Sequence, residues 1–397
     1  MILSNKSENI SASLTLQIDA IAKKMKEEGI NVIGFGAGEP DFDTPLYIQE
    51  AAINAIKAGY TRYTPTSGIL ELKNAIINKF KNENNLTYKP SQIIVSTGAK
   101  QCLANTFQAI LNPGDEVIVP IPYWVSYPEL IKMADGVPVF VDTEESNSFK
   151  YTYDKLKEVV TEKTKAILLN SPNNPTGAVY NLEELRMIAK FAEENDLLII
   201  SDEIYEKLIY GEIKPISIAT LSKDIYDRTI VINGVSKTYA MTGWRLGYTA
   251  ASEKIIALMS NIQSHTTSNP NSITQYAVVA ALSGGEDIIA NMVAEFKRRR
   301  DYMVEKVNSI YKLSCVKPEG AFYVMVNISE VLGKKYKDTI IKDSVDFSNQ
   351  LLNAEKVAVV PGDGFGVANY VRLSYATSMD NIVEGLNRLA LFMRNFN

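Results

Sequence analysis

The sequence predicts an α/β protein with a large domain built on a mostly parallel sheet and a smaller α+β domain. Two observations indicate this class. Continuous apolar segments alternate with amphipathic helical patterns, which is typical of a parallel sheet covered by helices on both faces. After residue 285 the pattern changes to long helical stretches, followed by the short apolar segments "GAFYVMVNI" and "YVRLSYA", which predict strands of a second, mixed unit.

The predicted strands and helices follow one another in a regular order. "QIIVSTGAK" carries a strand at Ile93–Val95, and the apolar spacing in "KQCLANTFQAIL" predicts a helix that ends before Pro113. Another helix opens with Asn181 as its cap and Glu184 three residues later, which is the pattern of a capping box. Its apolar face is Leu182, Leu185, Ile188, Ala189 and Ala192. Further apolar segments predict strands at residues 165–170, 197–205 and 229–237.

These patterns divide the chain into two predicted domains. The large domain is expected at residues 46–285, and the small domain at residues 1–45 together with residues 286–397. A chain of 397 residues with 46% hydrophobic residues is long and apolar enough to bury a sizeable core.

Composition excludes several classes of function. A net charge of -5 gives no general attraction to nucleic acid or to acidic lipid. The sequence has no apolar run near the roughly 20 residues that a membrane span needs and no secretory-signal pattern at its start, so we expect a cytoplasmic protein. Cys102 and Cys315 form neither a disulfide framework nor a metal pattern, and no metal is expected.

The single histidine narrows the chemistry further. His265 lies in the polar, loop-like stretch "QSHTTSNPNS", away from any nucleophile motif, so a solvated or hydrogen-bonded loop histidine is the preferred interpretation. Proton transfer must then depend on Lys, Tyr, Asp or Glu side chains. The basic run Lys297–Arg300 is interpreted as the solvated face of a helix.

Polar side chains follow the predicted strands where ligands bind in an open parallel sheet, outside the carboxyl ends of the strands. The turn at Gly98 opens a helix whose free N–H groups suit a phosphate, and Arg245 suits a phosphate or a carboxylate. Asp202 is stable as a desolvated anion only beside a cation such as a protonated ring nitrogen. Trp124 offers a flat aromatic face, and Lys237 can form a Schiff base. Together these groups describe a pyridoxal phosphate site.

A family resemblance runs through nearly the whole chain. The ordered segments "GAGEPDFDTP", "YTPTSGILELK", "STGAKQ", "PYWVSYPE", "SPNNPTG", "SDEIYE", "SKTYAMTGWRLGY" and "YVRLSYATS" resemble the class I aminotransferases, specifically the bacterial-type aspartate aminotransferases of fold type I. "GFGAG" is not a dinucleotide-binding fingerprint, because Pro40 follows it and a helix begins only near Thr44. The resemblance implies a seven-stranded, mostly parallel sheet and the cofactor pyridoxal 5′-phosphate.

The resemblance also implies a role for individual residues. Lys237 would hold the cofactor as a Schiff base and move the proton of the substrate, Asp202 would pair with the ring nitrogen, and Tyr205 would hydrogen-bond the 3′-oxygen. The other residues implied in cofactor binding are Gly98, Ala99, Lys100, Trp124, Asn174, Ser236, Arg245 and Tyr63. The residues implied in substrate binding are Arg372, Gly38, Trp124, Asn174, Lys100, Ser13 and Thr15.

Substrate and partners are implied in the same way. The reaction would transfer the amino group of L-aspartate to 2-oxoglutarate, in a homodimer in which Tyr63 reaches the phosphate of the neighbouring subunit. "QSHTTSNP" offers no arginine for the distal carboxylate, so Lys100, with Ser13 and Thr15, is expected to bind it. Gly234 stands where many relatives carry serine or alanine, so this chain is expected to lack one hydroxyl at the phosphate, for which backbone N–H groups could substitute. Ser11 and Ala12 replace the basic residue of prephenate-accepting relatives and favour aspartate.

Other functions remain open from sequence alone. An aminotransferase for another amino acid, whether aromatic, alanine or prephenate/arogenate, or a carbon–sulfur lyase of the same fold would keep Lys237, Asp202, Tyr205 and Arg372. A non-catalytic regulator that binds pyridoxal phosphate would need a DNA-binding extension, and the first strand-like motif begins too near the start of the sequence for one.

Overall fold

The structure is a computed structural model that describes residues 4–11 and 14–396, without the side chains of residues 5, 14–17 and 19. The described α-helices are α1 (Asn5–Glu8), α2 (Leu14–Glu27), α3 (Leu46–Lys57), α4 (Leu70–Asn84), α5 (Ala99–Ile110), α6 (Ser126–Met133), α7 (Tyr153–Val159), α8 (Leu182–Glu194), α9 (Lys223–Arg228), α10 (Glu253–Thr266), α11 (Ser272–Ala281), α12 (Glu286–Ser309), α13 (Ser344–Glu355) and α14 (Met379–Met393). The described strands are β1 (Ile33–Gly34), β2 (Ile93–Ser96), β3 (Glu116–Ile121), β4 (Val137–Asp142), β5 (Thr164–Asn170), β6 (Leu198–Asp202), β7 (Thr229–Gly234), β8 (Gly247–Ala250), β9 (Tyr323–Asn327), β10 (Lys335–Tyr336), β11 (Thr339–Ile340), β12 (Val357–Ala358), β13 (Val360–Pro361) and β14 (Tyr370–Ser374).

The central element is a seven-stranded sheet with the order β2-β8-β7-β6-β5-β3-β4. Its neighbours pair in parallel from β4 to β7, and only β8 runs antiparallel to the strands on either side of it. The fold class predicted from the sequence is therefore confirmed. Because the parallel strands share one direction, their carboxyl ends meet at a single edge of the sheet.

Helices cover both faces of this sheet, as the continuous apolar strands require. Successive strand residues point to opposite faces, so Ile94 packs in a core with helix α5 while Val95 packs in a core with helix α4. Ile230 and Val231 divide between the same two cores in the same way. The alternation fixes which face each strand end presents to the helices around it.

A further core lies against β9, β13 and β14, which form an antiparallel sheet of their own. Phe296 of α12, Val324 of β9 and Leu373 of β14 are fully buried there. Phe35 packs into the same core, which places the N-terminal segment after β1 beside β14. The predicted domain boundaries remain a prediction.

Two interpretations made from sequence are wrong in part, since His265 is exposed but not in a loop and the basic run is not wholly solvated. His265 lies in the last turn of α10, where the helix continues through the polar stretch because its apolar face packs on α5. The basic run at Lys297–Arg300 is only half solvated, since Arg299 and Arg300 are buried. Arg299 forms ion pairs with Asp41 and Glu295 at 2.7 and 2.8 Å, which supply the partners that burial of a charge requires.

No single helix among the described residues has the length and apolar character needed to cross a membrane. The helices α11 and α12 reach that threshold only when they are counted together across a bend of 85°.

Candidate active site

A cavity of about 350 Å³ opens at the carboxyl edge of the parallel strands. The sequence-predicted residues that line it are Gly38, Ala99, Lys100, Trp124, Asn174, Asp202, Tyr205, Ser236, Lys237, Arg245 and Arg372. They follow five different strands or come from the N-terminal segment and β14, so the fold gathers side chains that are hundreds of residues apart.

Lys237 lies three residues past the end of β7, half-buried in the cavity wall. Its Nζ donates a hydrogen bond of 2.5 Å to the carbonyl oxygen of Gly38. Burial lowers the pKa of Lys237 from 10.5 to about 8; the carboxylate of Glu39 opposes this shift, and the cations Arg245 and Arg372 add to it. A substantial fraction of the amine is therefore unprotonated near neutral pH, as a nucleophile or a general base must be.

Asp202 is the last residue of β6, and only 4% of its surface is exposed. Its Oδ2 accepts a hydrogen bond of 2.7 Å from the hydroxyl of Tyr127, and its Oδ1 accepts one of 3.3 Å from the N–H of Ile204. Burial raises the pKa of Asp202 to about 6, although the Tyr127 hydrogen bond and the charge of Lys237 both act to lower it. This carboxylate is poised for a cationic partner inside the cavity.

An anion seat lies at the N-terminus of α5. Gly98 precedes this helix with a φ of 84°, and a Cβ atom there would lie 2.5 Å from Nη2 of Arg245. A Cβ atom on Gly247 would overlap the backbone N of Ala99, so Gly247 is needed for this close approach, whereas glycine at Gly98 is favoured by the positive φ. Arg245 donates to the carbonyl of Thr242 at 2.8 Å, which holds its guanidinium group near the helix. Helix N–H groups and a guanidinium together suit a phosphate.

A second anion seat is built around Arg372, which is buried on β14. Its Nη1 donates to Oδ1 of Asn174 at 3.0 Å, and its Nη2 donates to the carbonyl of Gly36 at 3.0 Å. Its Cζ lies 4.3 Å from the ring centroid of Tyr323. These contacts fix the plane of the guanidinium group, which can bind a carboxylate with two hydrogen bonds.

Aromatic side chains form other parts of the wall. Trp124 packs edge-to-face against Tyr127 with ring centroids 5.2 Å apart, and Nζ of Lys100 lies 5.1 Å from the Trp124 ring. Burial, with a contribution from Arg245, lowers the pKa of Lys100. The hydroxyls of Tyr205 and Tyr323 lie 3.0 Å apart in a hydrogen bond.

The structure does not place four predicted site residues, Tyr63, Ser13, Thr15 and Gly98, in the lining of this cavity. Tyr63 does not line the cavity, and 90% of its surface is exposed to solvent. Ser13, with Ala12 before it, lies outside the described residues, and the side chain of Thr15 is likewise not described. Gly98 is not itself in the lining, but it adjoins it through Ala99 and Arg245.

The structure also adds residues that sequence reasoning did not assign to the site. Tyr127 hydrogen-bonds Asp202, Tyr323 contacts Tyr205 and Arg372, and Gly36 accepts from Arg372. Asn170 accepts from the N–H of Asn174 at 2.9 Å and so holds the turn that carries it. Tyr127 lies within "PYWVSYPE" and Tyr323 within "GAFYVMVNI", two segments already noted in the sequence. Their spacing along the chain did not indicate that either side chain points into the cavity.

The fold and the site define a class of protein. A parallel sheet whose strand ends gather a lysine amine, a buried carboxylate and two guanidinium groups is the arrangement of an enzyme that handles small anionic substrates. The sequence model of the family "Aminotransferase class I and II" matches residues 30–389, and this chain belongs to that family.

Individual relatives are similar over their whole lengths. The aspartate aminotransferase of Bacillus subtilis (strain 168) is 51% identical over 393 residues, with 99% of each chain covered. The aspartate/prephenate aminotransferase of Nitrosomonas europaea is 46% identical, with 98% of this chain and 99% of that protein covered. The crystal structure of the aspartate aminotransferase from Rhizobium meliloti superposes with a TM-score of 0.96 at 42% identity, covering 100% of both chains.

Proposed function

We propose that this aminotransferase transfers the amino group of L-aspartate to 2-oxoglutarate, with pyridoxal 5′-phosphate as its cofactor. The products are oxaloacetate and L-glutamate, formed by a ping-pong mechanism. The observation that carries the proposal is one cavity that contains the amine of Lys237, the buried carboxylate of Asp202 and the buried guanidinium of Arg372. The names of the Bacillus subtilis and Rhizobium meliloti relatives support aspartate as the amino donor.

The residues present fit the proposed cofactor. The seat between Gly98, Gly247 and Arg245 is a cradle that a Cβ atom at either glycine would fill, and it suits the phosphate. Asp202 would bind the ring nitrogen, because a protonated pyridine is the cation that its desolvated carboxylate needs. Lys237 would hold the cofactor covalently. When bound, pyridoxal phosphate supplies an electron sink for the electrons of the substrate α-carbon.

Further contacts are proposed around that seat. Trp124 would stack on the ring, Tyr205 and Asn174 would donate hydrogen bonds to its 3′-oxygen, and Ala99 and Ser236 would contribute to the phosphate seat. All of them line the same cavity, which supports the assignment.

The chain's own side chains would carry the proton. With its pKa at about 8, the free Nζ of Lys237 can accept a proton from the substrate α-carbon and would then donate it to the bound cofactor. Arg372 would bind the α-carboxylate of the substrate, since its two hydrogen bonds to Asn174 and Gly36 orient the guanidinium toward the cavity. The carbonyl of Gly38 holds Nζ of Lys237 within this region.

The distal carboxylate of aspartate is assigned to Lys100. Its amine lies over the Trp124 ring and lines the cavity, at a position where a second anion of the substrate can reach it. Ser13 and Thr15 stay a prediction as additional ligands of this carboxylate. The Nitrosomonas europaea relative is named an aspartate/prephenate aminotransferase. Prephenate is therefore a second amino acceptor to test with this protein.

We also propose a homodimer that completes the two active sites. Leu46, Ile53 and Ile56 lie on one exposed face of α3, and Leu70 is exposed nearby in sequence. Tyr63, 90% exposed, belongs to the segment that connects α3 to α4 and does not line the cavity of its own subunit. A second copy would cover this apolar face and receive the Tyr63 hydroxyl at its phosphate seat. A cytoplasmic location remains part of the proposal, and the buried free thiols of Cys102 and Cys315 are compatible with it.

The visible spectrum of the purified protein tests the proposal. Addition of pyridoxal 5′-phosphate should produce a yellow band, and L-aspartate should bleach it. Subsequent addition of 2-oxoglutarate should restore the band, with oxaloacetate released in the first step and L-glutamate in the second. A band that ignores L-aspartate but responds to another amino acid contradicts the substrate assignment. Release of ammonia and pyruvate without a need for 2-oxoglutarate would identify a lyase instead.

A further inference from the structure

Tyr323 is a buried side chain that contacts both Tyr205 and Arg372 in the wall of the cavity. It is the first residue of β9 and pairs with Ser374 of β14, so Arg372 is its diagonal neighbour on the same face of the sheet. Only 1% of Tyr323 is exposed. Its ring lies 4.3 Å from Cζ of Arg372, within range of a cation–π interaction.

The hydroxyl of Tyr323 reaches in the other direction. It lies 3.0 Å from the hydroxyl of Tyr205, and the two rings meet edge-to-face with centroids 6.0 Å apart. Tyr205 comes from the turn after β6, whereas Tyr323 belongs to the antiparallel sheet with β14. The hydrogen bond therefore joins the element that carries Asp202 to the sheet that carries Arg372.

The number of protons decides the direction of this hydrogen bond. Each phenol has one proton to donate. If Tyr205 donates its proton to the 3′-oxygen of the cofactor, its oxygen can take part in the bond with Tyr323 only as an acceptor. Tyr323 must then be the donor, and a hydroxyl that accepts one hydrogen bond becomes a better donor in the next.

We infer that Tyr323 is a positioning residue that donates to Tyr205 with its hydroxyl and supports Arg372 with its ring. The inference rests on the proposed function for the role of Tyr205. The two contacts are chemically separable, since the hydroxyl acts on the cofactor side and the ring acts on the carboxylate side. Tyr323 thus adjusts cofactor retention and substrate binding from one position.

Two variants separate the two contacts. Tyr323→Phe keeps the ring and nearly the same volume but removes the donor, so pyridoxal phosphate should dissociate about fivefold faster, the size of one net hydrogen bond. Its dissociation constant for maleate, a four-carbon dicarboxylate without an amino group, should stay within twofold of wild type. Tyr323→Leu also removes the ring and should weaken maleate binding about tenfold. Tyr375→Phe is the matched control, because its buried hydroxyl donates to the carbonyl of Ala321 at 3.2 Å in the same core but Tyr375 does not line the cavity.

Two quantities are measured. The dissociation rate of pyridoxal phosphate is the rate at which the visible band is lost in the presence of excess reagent that traps the released cofactor. The dissociation constant for maleate is measured by calorimetry. Tyr323→Phe should add nothing to the dissociation rate in a Tyr205→Phe background, because it acts through Tyr205. A full additional effect in that background shows a merely structural role and overturns the inference. An unchanged dissociation rate in Tyr323→Phe, or a loss of maleate binding equal to that of Tyr323→Leu, also overturns it.

The design separates this inference from the proposed function. If the wild-type protein binds the cofactor but forms no oxaloacetate from L-aspartate, the proposed substrate is wrong, while the dissociation rates and maleate constants still decide the role of Tyr323. A wild-type protein that binds no pyridoxal phosphate overturns both.

Discussion

The pKa of Lys237 makes a quantitative prediction about how this protein captures its cofactor. Burial is the largest cause of the shift from 10.5 to about 8. At pH 7.5 an amine with a pKa of about 8 is roughly one quarter unprotonated, whereas an ordinary lysine amine is unprotonated about once in a thousand molecules. Lys237 should therefore present roughly two-hundredfold more free amine than an exposed lysine at this pH.

The assay is the rate at which cofactor-free protein forms its visible band with pyridoxal 5′-phosphate, measured between about pH 6 and pH 10. A small alkylamine with an ordinary pKa is the reference, and dividing by its rate at each pH removes the titration of the cofactor itself. The normalised rate should be highest at low pH and should begin to fall as pH rises through about 8, because the free-amine fraction of Lys237 then levels off while that of the alkylamine keeps rising.

Two variants sharpen this experiment. Lys237→Ala should form no protein-bound band, and its turnover should fall on the order of 10⁴-fold, since both the covalent anchor and the base are lost. Glu39→Gln removes the carboxylate that raises the pKa of Lys237, so the break in the rate profile should move below its wild-type position. A wild-type profile that parallels the alkylamine up to pH 10 would refute the assigned pKa.

Three other perturbations concern Asp202 and Arg372 in the cavity and Glu203, a buried carboxylate outside it that accepts hydrogen bonds from Ser201 and Ser217. Tyr127→Phe removes a hydrogen bond that lowers the pKa of Asp202, so this pKa should rise above about 6, and an unchanged acid limb in the pH profile of cofactor binding would contradict it. Arg372→Lys keeps the positive charge but loses the planar pair of donors that binds a carboxylate with two hydrogen bonds. The kcat/KM for L-aspartate should therefore fall about a hundredfold while the visible band persists. An unaltered kcat/KM would exclude Arg372 as the carboxylate ligand. Burial, with the charge of Glu206, raises the pKa of Glu203 from 4.5 to about 7. Ionisation of Glu203 therefore costs the folded state free energy as pH rises from 4.5 through 7, and Glu203→Gln should stabilise the cofactor-free protein by up to about 3 kcal/mol at pH 8 and progressively less toward pH 5. Urea unfolding at both pH values measures this, and destabilisation at pH 8 would be the contrary result.

Local sequence was sufficient for much of the secondary structure. The capping box predicted at Asn181 forms, with Oδ1 accepting from the N–H of Glu184 at 3.0 Å and the Glu184 carboxylate accepting from the N–H of Asn181 at 2.7 Å. Such signals lie within one helical turn, so they need no knowledge of the rest of the chain. The strand predicted at residues 197–205 ends at Asp202, because the chain then turns, with the N–H of Ile204 donating to Oδ1 of Asp202 at 3.3 Å.

The sequence by itself determined the layered fold and the gathering of Lys237, Asp202, Asn174 and the Gly98 turn at one edge. Apolar continuity indicates a covered parallel sheet, and in such a sheet the carboxyl ends of the strands must meet. Only the tertiary structure decided the roles of Tyr127 and Tyr323 and the burial of Arg299. Arg299 meets Asp41 across 258 positions of the chain, and Tyr323 meets Tyr205 across 118. Whether a polar side chain is solvated or buried depends on the partner brought to it, and that partner is chosen by how distant elements pack.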